Sequence, residues 1–166
     1  MRYKITFFDF WHVGSGTSAG VELDAVVIKD SDNLPYLPGK TLKGLTRQNA
    51  EILDTQKAKK VFGEEGKNMA RSYFSDATLD AATHAYLCSK KVLQKQLYDK
   101  VTSTKINDNG VAEDKTLREI EVVVPLTLYG EIETNEEAFI RDALMMIKQI
   151  GLNRNRGLGR CQVEVL

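Results

Sequence analysis

The chain has 166 residues, of which 42% are hydrophobic and 28% charged, the profile of one soluble domain long enough to bury a real core. Its 23 basic and 23 acidic residues cancel, so nucleic-acid binding cannot be argued from bulk charge and must come from local clustering. Cys88 and Cys161 lie far apart, which argues against a disulfide framework or a structural zinc site; residues 1–11 carry Lys4 and Asp9 and are no signal peptide; no apolar run reaches membrane-span length. A cytoplasmic protein without a membrane partner is the expectation.

Residues 2–11 alternate like a strand, with Tyr3, Ile5 and Phe7 on one side and Phe8 and Phe10 on the other, which suggests a central strand covered on at least one face. Gly14 to Gly20 is a small-residue loop, Val21 to Lys29 a second β-rich run, and Asp30 to Asn33 turn chemistry. A helix follows from about Gly39 to Leu53. At about 100° per residue, Lys40, Lys43 and Arg47 share one face and Leu42, Leu45, Asn49, Ile52 and Leu53 the other. Residues 55–69 read as a short helix and a loop; Arg71 to Leu79 and Ala85 to Leu93 read as strands.

Lys100 to Lys115 is polar and holds Asn107-Asp108-Asn109-Gly110, a hairpin turn. Leu117 to Ile132 is strongly β and broken at Pro125. Asn135 caps a second helix carrying Phe139, Ile140, Leu144, Ile147 and Ile150, which Gly151 ends; Gly157 to Leu166 is the last strand. The order is that of a βαββαβ ferredoxin-like α+β fold, the scaffold of RNA-recognition motifs, in a single domain over residues 1–166.

Two segments carry chemistry. A helix start beside Lys40 and Lys43 attracts phosphate through free N–H groups and charge. In Gly151-Leu152-Asn153-Arg154-Asn155-Arg156-Gly157-Leu158-Gly159-Arg160, glycines let backbone approach a ligand closely and arginines grip phosphate in bidentate fashion. Each has a plainer reading. Basic helix faces are commonly just solvated, Arg47 can pair within the chain, and a cationic helix end before a tight turn accounts for Arg154, though poorly for three arginines.

Pro38-Gly39-Lys40-Thr41-Leu42-Lys43-Gly44 with Arg47, together with the glycine-arginine segment, resembles the RAMP superfamily of CRISPR-associated proteins, most closely the backbone subunits of type III effector complexes. Lys40 and Thr41 stand where that family's motif has two serines. Phe62-Gly63, Phe74-Ser75-Asp76-Ala77, the hairpin from Asn107 to Ala112 and Glu119 to Pro125 fit its intermediate stretches.

The resemblance implies an antiviral ribonucleoprotein in which copies of the subunit stack along a guide RNA with other effector subunits. A thumb, here about residues 98–118, displaces a base of the guide–target duplex at intervals. Asp24 matches the Asp that cuts target RNA, which makes it the candidate for catalysis and for holding Mg2+ or another divalent cation; a turn or capping contact is its plainer role. The implied guide contacts are His12, Lys40, Lys43, Arg47, Arg154, Arg156, Arg160, Gly157 and Gly159, with His12 equally readable as a strand-end histidine satisfied by backbone. Two alternatives stay open: a structural RNA-binding subunit without chemistry, and a stand-alone endoribonuclease trimming repeat RNA with His12 or Tyr3 as general base.

Overall fold

A computed structural model describes residues 1–16, 23–63, 72–113 and 116–166. Its central sheet has four antiparallel strands in the order β2-β5-β1-β6, formed by β1 (Arg2–Phe7), β2 (Tyr73–Phe74), β5 (Thr127–Glu133) and β6 (Cys161–Val165). β1 is central, with Ile5 opposite Leu128 on one side and Val163 on the other. Helices α1 (Gly39–Leu53) and α5 (Glu137–Met145) pack on each other, and against β2 and β6 respectively. This is the ferredoxin-like plan, with the second strand reduced to two residues.

The period of two in β1 explains its place. Tyr3, Ile5 and Phe7 are buried in the core with Leu128, Ile132, Val163, Leu42, Ile140 and Leu144. Lys4 points to the other face, where its Nζ lies 3.1 Å from Glu164 of β6. The sheet is thus covered on one face and carries a charged cross-strand pair on the other.

Beyond Phe7 the chain leaves the sheet and joins a second layer. β3 (Tyr98–Ser103) and β4 (Arg118–Val123) form an antiparallel ribbon, and Trp11 exchanges backbone hydrogen bonds with Val123 of β4 at 3.0 and 2.8 Å. Ala25 bridges Ile120 in parallel on the same strand. Ile120, Val122 and Leu158, with Phe10, Ala25 and Val101 against them, form a small second core under this ribbon. Past β3 the predicted hairpin turn is present: Gly110 N–H donates to Asn107 O, and Ile106 bridges Ala112.

Several expectations need correction. Residues 85–93 are not a strand. They belong to helices α3 (Ala81–Ser89) and α4 (Lys91–Lys95), because Asp80 caps α3 by accepting from the backbone N–H groups of Ala82 and Thr83. Helix α1 has the expected limits, but its buried face is Gly39, Leu42, Thr46 and Ala50, while Ile52 is 73% exposed. Small residues let α2 (Thr55–Phe62) and β2 approach closely on that side, and Thr46 is satisfied by donating Oγ1–H to Leu42 O.

The second helix begins at Glu137, with no side-chain cap, and ends at Met145 rather than at Gly151. Ile147 and Ile150 are buried all the same, from a stretch whose Gln149 bridges Arg160. The expectations for residues 17–22, 64–71 and 114–115 fall outside the described residues.

Candidate nucleic-acid interface

The glycine-arginine segment is shaped by the exit of β1. Leu152 N–H donates to His12 O, Gly159 N–H to Phe10 O, and Phe8 N–H to Arg160 O. A Cβ on Gly151 would lie 2.1 Å from His12 O, and one on Gly159 2.0 Å from Ile150 O, and both residues have positive φ. Only glycine fits at either position. Gly157 also has positive φ, but open space surrounds it. Between these points Asn153 adopts a left-handed conformation and Arg154–Arg156 form one 3-10 turn, all three residues of that turn exposed.

Buried Leu158 anchors this loop in the second core, against Ile120 and Val122 of β4. The same strand holds Asp24, whose backbone N–H donates to Glu119 O and whose Oδ2 accepts from Glu119 N–H, both at 2.9 Å. Asp24 is exposed, and its other carboxylate oxygen has no partner among the described residues. Arginine loop, Asp24 and hairpin ribbon are therefore joined through one strand.

His12 is 2% exposed, and its Nδ1 donates to Glu121 O at 2.6 Å, since a carbonyl can only accept. The Glu121 carboxylate accepts from Val27 N–H at 3.0 Å and from Lys29 Nζ at 2.7 Å. His12 thus clamps the β1 exit to β4 as a satisfied interior residue. Tyr3 is fully buried, and desolvation first, then the charge of Asp76, pushes its phenol far above the usual range. Neither general-base candidate of the stand-alone nuclease reading is open to solvent.

The basic face of α1 is divided. Lys40 is exposed and has no partner among the described residues. Lys43 is half-buried and donates from Nζ to Ser72 O at 2.9 Å; burial, and then the charge of Arg47, lower its pKa. Arg47 pairs with Glu51 one turn on, at 2.8 Å. The helix start is not free either, because Gly39 N–H donates to Asp76 Oδ1 at 2.7 Å. An intramolecular carboxylate already occupies the place proposed for phosphate.

The arginine loop meets α1 on its opposite flank. Arg154 and Asn155 line an open cleft of about 330 Å³ with Leu45, Gln48, Asn49 and Lys148. On the helix wheel Leu45 stands about 160° from Lys43. Arg160 pairs with Asp9 at 2.9 Å, and its guanidinium lies over the Phe8 ring. Arg154 and Arg156 are the loop's cations without a partner among the described residues. Lys148 was not singled out from sequence; its only signal was position, three residues before the loop.

The RAMP superfamily model matches residues 4–162. The chain belongs to the RAMP superfamily. Among solved structures, this RAMP protein is similar to a chain in the cryo-EM structure of the type III-B Cmr-β complex bound to cognate target RNA, with a TM-score of 0.77 and 15% identity over 98% of this chain and 95% of that one. A chain of the apo Cmr-β complex is similar with a TM-score of 0.74 and 14% identity, at the same coverage. At such identity the likeness establishes the fold. No curated protein sequence matches significantly. Among the described residues no helix is long and apolar enough to cross a membrane.

Proposed function

We propose that this RAMP protein is a guide-RNA-binding backbone subunit of a type III CRISPR interference complex, acting in the cytoplasm. The observation that carries the reading is family membership over residues 4–162, joined to a fold shared with a chain of an RNA-bound Cmr-β complex. The geometry supports it, since loop, Asp24 and ribbon share one strand. The guide backbone is gripped by Arg154 and Arg156, with Lys148 across the cleft and the Gly157 turn giving open access. Lys40 makes a separate contact further along the strand. Arg160, Lys43, Arg47, Gly159 and His12 shape the surface that presents these groups. Backbone grip without base readout is what holding any guide sequence requires. Guide RNA, target RNA, further copies of the chain and other effector subunits are the partners.

In this reading Asp24 acts on target RNA beside the thumb ribbon of β3 and β4. Magnesium accepts a single carboxylate when water and substrate phosphate complete its shell, so the one unpartnered oxygen of Asp24 fits the minimum requirement. The ion, when bound, supplies positive charge to the scissile phosphate. The chain itself supplies rigid placement, because Asp24 is held at both N–H and Oδ2 by Glu119.

That same bond favours a second reading, a structural RNA-binding subunit in which the Asp24 carboxylate only ties the 23–27 segment to β4. Target cleavage by a complex reconstituted on guide RNA with Mg2+ separates the two. Cutting that disappears with Asp24→Asn supports catalysis, and uncut target bound by intact wild-type complex supports the structural role.

A further inference from the structure

We propose that Asp32, His84 and Cys88 form a transition-metal site, with zinc as its natural occupant, that staples the turn before α1 to helix α3. One donor atom from each residue lies within 4.8 Å of the others, and among the described residues this is the one cluster of its kind. His84 and Cys88 are four residues apart on α3, so they project from the same face, with Sγ 3.6 Å from Nδ1. On the far side of the ring, Nε2 lies 3.5 Å from Oδ2 of both Asp30 and Asp32.

The acidic half is prearranged. Asp30 Oδ1 accepts from the N–H groups of Asp32 and Leu34, both at 2.9 Å, which closes the turn and leaves Oδ2 facing the histidine. Tyr98 donates its hydroxyl to Asn33 O at 2.7 Å and fixes the turn from the ribbon side. The cluster is half-exposed, so a cation has a route in.

The donor chemistry selects the metal. Thiolate, imidazole and carboxylate together suit zinc, whereas magnesium and calcium prefer oxygen alone. Tetrahedral zinc places its donors about 3.4–3.8 Å apart. A zinc ion takes one ring nitrogen, so one of the two contacts to His84 already has that spacing, and the other two edges, within 4.8 Å, close by about 1 Å. With zinc on Nδ1 beside Cys88 Sγ, Asp32 swings from the Nε2 side to complete three protein ligands, water supplies the fourth, and Asp30 stays on the free Nε2, the usual outer partner of a metal-bound histidine. Burial, then Asp32 and Asp30, raise the Cys88 thiol, so binding zinc forms a Zn–S bond and releases the thiol proton to solvent. The site is independent of the RNA surface. It fastens the segment that leads through Leu37 into α1 to the α3–α4 pair.

The test is a cobalt titration of the untagged full chain. Co2+ bound here gives a thiolate-to-metal charge-transfer band in the near ultraviolet and intense tetrahedral bands in the visible, both displaced by one equivalent of Zn2+. Cys88→Ser should remove the charge-transfer band, His84→Ala should remove binding, and Asp30→Asn should weaken it about tenfold. Zinc should raise the melting temperature of the wild type and leave that of Cys88→Ser unchanged, with circular dichroism confirming that both fold. Octahedral, weak cobalt spectra without the thiolate band, or equal zinc stabilisation of wild type and Cys88→Ser, would overturn the assignment.

Discussion

The backbone N–H of Gly39 donates to Asp76 Oδ1 at 2.7 Å, across 37 residues of sequence. Around that bond, Leu37 and Ala77 exchange backbone hydrogen bonds, and a Cβ on Gly39 would stand 2.1 Å from Phe74 O. The Pro38-Gly39 and Phe74-Ser75-Asp76-Ala77 motifs are thus two halves of one joint between α1 and the sheet edge. Gly39→Ala should lower stability by about 2–3 kcal/mol, the scale of overpacking against rigid backbone. Asp76→Ala should cost about 1–2 kcal/mol, the scale of a lost helix cap. Urea midpoints at unchanged slope check both, and a neutral Gly39→Ala would show that the joint is looser than described.

Arg154 and Arg156 are predicted to serve RNA, and Lys43 to serve the fold. Each arginine changed to Ala should leave the urea midpoint in place and reduce the salt dependence of guide-RNA binding by about 0.7 in log–log slope. Lys43→Met removes the bond to Ser72 O and should cost about 1 kcal/mol of stability while changing that slope less than either arginine does. Fluorescence anisotropy at several salt concentrations, beside denaturation of the same proteins, separates the roles.

Much of this was legible in the sequence where local chemistry and tertiary packing agree. Helix α1 was readable from Gly39 to Leu53, β1 from its alternation, and the hairpin turn from Asn107 to Gly110. Residues 85–93 misled because Tyr86, Leu87 and Cys88 suit a strand, while the deciding Asp80 cap lies upstream and acts through backbone. The buried stripe of α1 turned toward Thr46 and Ala50, because small residues admit close neighbours that no single-helix pattern reveals. The site suffered for the same reason. Charge and glycine marked the candidates, but the partners of Arg160, Arg47 and the α1 start are Asp9, Glu51 and Asp76, and two of these three lie far away in the chain. The Asp32, His84 and Cys88 cluster was invisible because its acid and its α3 pair are about fifty residues apart.

Acid stability should report on the α3 cap. Hydrogen bonds from the side chain and backbone of Thr83 hold the Asp80 carboxyl below its ordinary value of 3.8, with the Ala82 N–H adding to them. A carboxyl lowered in the folded state binds protons more readily when unfolded, so its stabilisation is present above pH 3.8 and is lost as pH falls through the lower, folded value. Asp80→Ala should melt at a lower temperature than wild type at pH 7, and the gap should close below that window. A gap of constant size down to the acid limit would assign the effect of Asp80 to packing.

Asp24→Asn is the cleaner variant for catalysis, because an amide oxygen still accepts from Glu119 N–H while the charge is gone. Target cutting should fall by about 100-fold or more with assembly unchanged. Asp24→Ala also breaks the tie to β4 and should in addition lower stability by about 1 kcal/mol, read as a lower urea midpoint at unchanged slope.

The most direct test of the backbone-subunit account is the number of copies bound as guide RNA is lengthened, measured by native mass spectrometry on the purified chain. The account predicts that copies add in regular steps with RNA length, and that Arg154→Ala together with Arg156→Ala abolishes the series. A single copy on RNA of every length would contradict it.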